Sequence, residues 1–295
     1  LHPRPAAIGN AVKPEQTDTL PAPFREAPEP LVPTGEDAAH EQLEAFLTER
    51  AKDYKDNRDF PALDGTSQLS PYLANGVLSG RQCLIAAKQS GLSGEGVETW
   101  INEIAWRDFY IHILYHYPRV SMGRAFKEET EALEWNTPGE HFEAWKEGRT
   151  GIPIVDAAMR QLKATGWMHN RLRMITAMFL TKNLFIDWRL GEAWFMQNLV
   201  DGFLASNNGG WQWSASTGTD AAPYFRVFNP VTQSERFDPK GEFIRNWVPE
   251  LAKLDNKRIH DPSRGGVIPK GYPRPIVDLK ESRKEAIARF QALKD

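Results

Sequence analysis

Apolar positions recur along most of this chain with the three-and-four spacing of an amphipathic helix, and no stretch alternates like a strand for more than a few residues. A first helix is predicted from Asp37, which can cap it, to about Tyr54, with Leu43, Phe46, Leu47 and Tyr54 on one face. Residues 65–71 read as a loop, with Ser70 as the cap of the next helix and Pro71 as its first residue. Another helix begins near Ser79. A long one from about Val97 to Tyr117 carries Trp100, Glu103, Trp106, Arg107 and Tyr110. Further helices are predicted over about 139–147, 153–164, 168–185 and 191–200. A Gly-rich turn at 209–210, a helix between Asp238 and Glu250 and a last amphipathic helix from Glu281 to Leu293 complete the pattern. The expected fold class is all-α, a multi-helix domain over 36–295 without internal repeats. Residues 1–35, rich in proline and polar residues, read as a linker, and Leu1 to Pro5 read like the interior of a longer chain.

Composition changes this picture little. With 295 residues, 41% of them hydrophobic and 25% charged, the chain is an ordinary globular protein. No apolar run is long enough to span a membrane, and no signal peptide is visible. The single cysteine, Cys83, excludes an internal disulfide framework and a Cys-rich metal site, and fits a reducing compartment. A net charge of -3 argues against a generally basic nucleic-acid coat but leaves room for a local basic groove. P-loop, dinucleotide-binding, zinc-protease and α/β-hydrolase motifs are absent. His112 and His116 stand one helical turn apart among aromatic residues without a nearby acidic ligand, so packing or surface roles are expected of them, and no metal site.

Four clusters carry candidate chemistry. Asn170, Met174 and Arg173 share one side of a helix; alone, they fit a packing amide beside solvent arginines. Trp100, Glu103, Trp106 and Arg107 set a carboxylate among rings, either as an exposed partner of Arg107 or as a group facing a polar ligand edge. Between Asp201 and Trp213, two asparagines, two glycines and two tryptophans suit a backbone passing close to a flat ligand, more than they suit a simple helix cap and turn. Thr66 to Ser70 place hydroxyls and amides at a helix N-terminus, which suits a phosphate and suits ordinary capping equally. Of the ten tryptophans, nine lie between Trp100 and Trp213, and core filling accounts for most of them. Together the clusters imply a planar, phosphate-bearing cofactor in a Trp-lined helical pocket, without naming it.

The segments Arg58 to Pro61, Gly65 to Ser70, Trp100 to Arg107, Thr150 to Arg160, Thr165 to Met174 and Asp201 to Asp220 resemble, in order, those of the cryptochrome/photolyase family. The resemblance covers nearly all of residues 36–250. Asn170 with Met174 is similar to the class I cyclobutane-pyrimidine-dimer photolyases; the (6-4) photolyases place histidines in this region. Asn207 is similar to photolyases where plant cryptochromes carry Asp and animal ones Cys, and Trp213 to photolyases where DASH-type cryptochromes carry Tyr.

The resemblance implies a folded FAD, active when reduced. Thr66, Ser67, Gln68, Leu69 and Ser70 would hold its phosphates, with Tyr54 and Trp100 nearby. Asp201 and Arg173 would pair beside the flavin ring, where Arg173 favours the anionic form. Asn207 would meet N5, and the Phe203 backbone amide a flavin carbonyl. The implied activity is light-driven repair of pyrimidine dimers flipped out of damaged DNA. Trp106 and Trp213 would stack on the dimer, Glu103 and Asn170 would hydrogen-bond base or flavin edges, and Met174 would lie against the dimer. Trp211, Trp188 and Trp135 would relay electrons from the surface to the flavin. Arg58, Arg107, Arg171 and Gln233 would contact the DNA strand. A monomer acting in the bacterial cytoplasm is expected, with no membrane association.

Two departures stand out: Phe203 occupies a position where photolyases carry Asp, and the family's α/β antenna domain is missing, so no antenna chromophore is expected here. The alternatives are a flavin photoreceptor of cryptochrome type and a Trp-rich DNA-binding module without cofactor.

Overall fold

A computed structural model describes residues 32–293; the expected linker at 1–35 falls, except for its last four residues, outside them. From Gly35 onward the chain is one compact unit. It is helical, and among the described residues the only β-type pairing is an isolated parallel bridge between Asn136 and Ile186.

Helix α1 spans Glu36–Glu49. Its cap is Gly35, and Asp37 sits inside the first turn, where a carboxylate still favours the positive helix end. The helix does not reach Tyr54. It stops at Arg50, a 3-10 turn covers Ala51–Asp53, and α2 follows at Tyr54–Asn57. The reason is a close crossing: a Cβ on Gly96 would stand 2.1 Å from the carbonyl oxygen of Lys52, so this turn lies directly on the helix that contains Gly96. Helix α3 spans Ser70–Ala74, capped by Leu69, so Ser70 is its first residue rather than its cap and Pro71 its second. Helix α4, Gly80–Gln89, begins at Ser79 with a full capping box to Gln82. Helix α5, Glu95–His116, is the longest at 22 residues.

Helices α6 (Glu140–Lys146) and α7 (Pro153–Thr165) lead to α8 (Asn170–Met178). The single helix expected over 168–185 is α8 followed by a π-helical turn, Phe179–Asn183. Helix α9 spans Trp188–Asn198 and α10 Leu204–Ala215. The turn expected at 209–210 is absent, because both glycines lie inside α10. Two mid-helix glycines cost about 1 kcal/mol each in intrinsic propensity. Packing overrides that cost: a Cβ on Gly209 would stand 2.1 Å from the Tyr110 ring of α5. The helix expected between Asp238 and Glu250 is shorter, α12 (Glu242–Trp247) with a 3-10 turn at Pro249–Leu251, and a helix not expected from the sequence, α11 (Pro230–Phe237), precedes it. Asp238 separates them by accepting the backbone N–H groups of Phe243 and Ile244 at 3.1 and 3.0 Å. Helix α13, Leu279–Gln291, is capped by Asp278.

Helix α10 is central, lying against α5, α8 and α9. The main core gathers Trp145, Trp188, Phe195, Trp211 and the apolar faces of α7 and α8. A buried carboxylate pins its far side. Asp156 accepts from Thr150 N (2.6 Å) and Oγ1 (2.7 Å), Gly151 N (3.0 Å) and the Tyr272 hydroxyl (2.6 Å). Burial pushes this carboxyl up, and the donors pull it back down.

Candidate functional site

Two cavities meet on the inner side of α8 and α10. The inner one encloses about 580 Å³ of open space between Arg173, Asp201, Phe203, Asn207, Trp211 and Ser214. The outer cleft, about 930 Å³, is lined by Arg58, Glu103, Trp106, Arg107, Tyr110, Trp213 and Asp220. Asn170, Met174, Ser206 and Gly210 line both, so these four residues mark the boundary where the two cavities adjoin. Helix period explains it. Asn170 and Met174 are one turn apart on α8, Ser206 and Gly210 one turn apart on α10, and each pair therefore presents one face. Gly210 faces open space at this boundary; a Cβ there would touch nothing within 4 Å.

The inner cavity has one polar edge. The Arg173 guanidinium grips both oxygens of Asp201 at 3.0 and 2.7 Å and donates through Nε to the Met168 carbonyl at 2.7 Å. The Asp201 side chain is 2% exposed and that of Arg173 27%. Asn207 donates to the Glu192 backbone carbonyl at 3.0 Å, which leaves its Oδ1 and second N–H for the cavity. Behind it runs a polar chain. Asn208 donates to the Glu192 carboxylate (3.0 Å), Gln212 donates to Asn208 (2.9 Å), and the Phe126 N–H donates to Gln212 (2.8 Å). Burial pushes the Glu192 carboxyl up, while the Asn208 amide and Arg189 draw it down. The rings of Phe195, Phe203 and Trp211 also line the cavity. A flat group with hydrogen-bonding atoms along one edge fits this donor set, and a flavin ring is such a group.

All five residues expected to act on the substrate, Glu103, Trp106, Asn170, Met174 and Trp213, line the one outer cleft. Glu103 is not a partner of Arg107. It pairs with Arg58 at 2.5 Å, and Arg107 instead donates to the Leu73 carbonyl at 2.8 Å and stacks on the Phe203 ring at 3.6 Å. Trp106 is 42% exposed at the cleft mouth. Asn170 has a single weak side-chain contact, 4.0 Å to the Met174 sulfur, so its amide is available to a ligand.

Other expected residues lie elsewhere. Tyr54 and Trp100 are buried and pack on Phe46, at 5.8 and 5.1 Å between ring centroids. Burial pushes the Tyr54 hydroxyl far up, which keeps it neutral. Thr66, Ser67, Gln68, Leu69 and Ser70 line neither cavity. Gln68 holds a positive φ of 54°, rare for a side-chain-bearing residue, and its amide donates to Asp64 at 2.9 Å. Arg171 pairs with Asp59 at 2.7 Å and lies over Phe237 at 4.3 Å. Gln233, on α11, lines neither cavity. Ser206, Tyr110 and Asp220 line cavities without having been marked by sequence reasoning; only the one-turn spacing of Ser206 to Gly210 could have signalled the first.

The three tryptophans expected to relay electrons differ in burial. Trp211 borders the inner cavity and is buried, Trp188 is fully buried, and Trp135 is partly exposed. Trp211 crosses α9 at Gly191, where a Cβ would stand 2.1 Å from its ring. Trp135 is tied to the segment leading into Trp188: Asn136 donates through its backbone to the Phe185 carbonyl (2.8 Å) and through its amide to the Leu184 carbonyl (2.9 Å).

Fold and cavities together define a helical domain with two adjoining cavities, the inner one suited to a flat polar-edged group. The chain belongs to the family described as the FAD binding domain of DNA photolyase, which its residues 100–292 match. It is 50% identical to the deoxyribodipyrimidine photo-lyase of Escherichia coli over 289 residues, 96% of this chain and 61% of that protein. It is 54% identical to the one of Salmonella typhimurium over 89% of this chain and 57% of that protein. Among solved structures, a class III photolyase of Agrobacterium tumefaciens aligns with a TM-score of 0.84 at 43% identity, covering 89% of this chain and 57% of that one. A Synechocystis cryptochrome aligns at 0.79 and 37%, covering 87% and 55%. The chain thus spans about three fifths of the length of the curated relatives it matches.

Proposed function

We propose that this protein repairs cyclobutane pyrimidine dimers in DNA with light and a reduced FAD held in the inner cavity. The observation that carries this reading is the shared boundary: Asn170, Met174, Ser206 and Gly210 touch both cavities, so a cofactor and a substrate would sit side by side across it. What a reduced flavin supplies when bound is one electron, delivered to the dimer on light absorption and returned after the ring opens.

The chain's own residues do the rest. The Arg173–Asp201 pair would hold the polar edge of the ring, and the Arg173 charge favours an anion there. The Asn207 amide would meet N5 without changing its own charge. Trp106 and Trp213 offer ring faces to a flipped-out dimer, and a lesion that stacks poorly costs less to extrude than a normal base. Glu103, fixed by Arg58, would accept from a base edge. Trp211, Trp188 and Trp135 would feed an electron inward from the surface. Arg58, Arg107, Arg171 and Gln233 would meet the strand, while Thr66–Ser70 would hold the FAD phosphates, with Tyr54 and Trp100 nearby. Asn170 with Met174 supports the class I pyrimidine-dimer branch. The reading includes a linker over 1–35, a FAD-binding unit over 36–295, and a monomer acting on bacterial nucleoid DNA; among the described residues no helix is long and apolar enough to cross a membrane.

The test is direct. The purified chain is reduced and illuminated with an oligonucleotide containing one thymine dimer. Flavin absorption and light-dependent loss of the dimer are expected. Absence of flavin absorption after reconstitution with FAD refutes the reading, and bound flavin without repair assigns the site to a photoreceptor. In the same assay Glu103→Ala is expected to lower the repair yield with FAD retained.

A further inference from the structure

Phe203 is the cap residue of α10, in extended conformation, and offers no side-chain acceptor to the helix. Its ring forms part of the inner cavity wall. Over that ring, 3.6 Å from its centroid, lies the guanidinium of Arg107, which also lines the outer cleft. One Arg107 nitrogen donates to the Leu73 carbonyl at 2.8 Å.

The surrounding arginines are each tied to a carboxylate: Arg58 to Glu103, Arg171 to Asp59 and Arg173 to Asp201. Among the described residues Arg107 has no such partner; its contacts are a neutral ring and a neutral carbonyl. Burial pulls its guanidinium below the ordinary value, and the more distant Asp108 and Asp201 pull it partly back. A planar guanidinium stacked on a ring and anchored at one nitrogen keeps its other N–H donors aimed and unspent. That is the geometry for a bidentate grip on a phosphate.

We propose that Phe203 is a positioning residue whose ring holds Arg107 as an uncompensated cation at the seam of the two cavities, reserved for a backbone phosphate of the strand in the outer cleft. The proposal rests on the DNA reading above. An aspartate at this position would take the guanidinium for itself and cancel its charge. The ring orients it and leaves the charge for the ligand.

Dark binding of a fluorescent dimer-containing oligonucleotide, measured by anisotropy across a KCl series, separates these roles without any photochemistry. Phe203→Leu keeps an apolar side chain but removes the ring face, and is expected to bind about fivefold more weakly at low salt, the equivalent of one cation–π contact. Phe203→Asp is expected to reduce the slope of log K against log salt by about one unit, the loss of one phosphate contact. Phe203→Tyr restores the ring and is expected to restore both affinity and slope. In an Arg107→Gln background, Phe203→Leu is expected to change nothing further. A Leu variant with wild-type affinity and slope, or a full Leu effect persisting without Arg107, overturns the proposal. Failure of the wild type to bind overturns the DNA reading and the phosphate assignment with it. The stacking itself is then read separately: the Arg107 Nε–H resonance should be shifted by the ring current in wild type and Tyr variant and should move in Leu, and an unmoved resonance removes the clamp.

Discussion

The Arg173–Asp201 pair gives an asymmetric prediction. The Asp201 carboxylate is 2% exposed, and the Arg173 side chain keeps 27% of its surface and a second anchor on the Met168 carbonyl. Arg173→Ala therefore strands a buried anion, which costs about 3–5 kcal/mol. Asp201→Asn leaves a guanidinium that water reaches and an amide oxygen that still accepts, so about 1–2 kcal/mol is expected. For a domain of this size each kcal/mol lowers the melting temperature by roughly 2–4 °C. The alanine variant should then lose roughly 10 °C and the asparagine variant about 4 °C. Thermal unfolding of flavin-free protein, followed by circular dichroism, measures both without interference from cofactor binding. The double variant removes the stranded anion and should be more stable than Arg173→Ala alone, with a coupling of about 2 kcal/mol. An asparagine variant that loses as much as the alanine variant, or a double variant showing no recovery, would refute the account of the pair as a buried carboxylate in need of its cation.

Three further outcomes are expected. His169 caps α8 through Nδ1, and burial lowers its pKa from 6.5 to about 4. The unfolded chain binds this proton first, so stability should fall as pH drops from 6.5 towards 4, by about 3 kcal/mol in all, and His169→Gln should flatten that part of a urea-midpoint profile. Gly191→Ala forces a methyl against the Trp211 ring; a loss of about 1–3 kcal/mol and a changed near-ultraviolet tryptophan spectrum are expected, and an unchanged spectrum would mean the ring does not cross α9 there. Tyr272→Phe takes one donor from the buried Asp156 carboxylate and should lower the unfolding free energy by about 1.5–3 kcal/mol in urea titration; an unchanged midpoint would show that the other three donors suffice.

Much of the fold was legible because the long helices are amphipathic. The apolar stripe on α1, the Ser79 start of α4 and the span of α5 all follow from residue spacing and capping chemistry. What periodicity misses is set by distant partners. Propensity breaks α10 at Gly209 and Gly210, yet the helix runs through because a tyrosine from α5 needs the space. Propensity also carries α1 through to Tyr54, yet the backbone must turn to lie on Gly96. The site divides the same way. Glu103, Trp106, Asn170, Met174 and Trp213 read as a set and converge on one cleft, since each combines a polar or aromatic group with a helical face that has an apolar neighbour. Ser206 and Asp220 carry no such mark, and the partner of Glu103 turned out to be Arg58, 45 residues away, where spacing pointed to Arg107.

The chain of amides behind the inner cavity bears on how fast charge can move there. In liquid water, each arriving electron turns the surrounding dipoles, and that turning is a barrier to every hop. Asn208 and Gln212 are spent on neighbours, through Glu192, Asn208 and Arg124, and Asn207 is tied by one N–H to the Glu192 carbonyl. They cannot swing without breaking bonds formed during folding, so the dipoles along this edge of the cavity are arranged before any charge arrives. An electron passing this helix would meet a medium closer to a crystal than to a solvent, with little nuclear rearrangement between one resting place and the next.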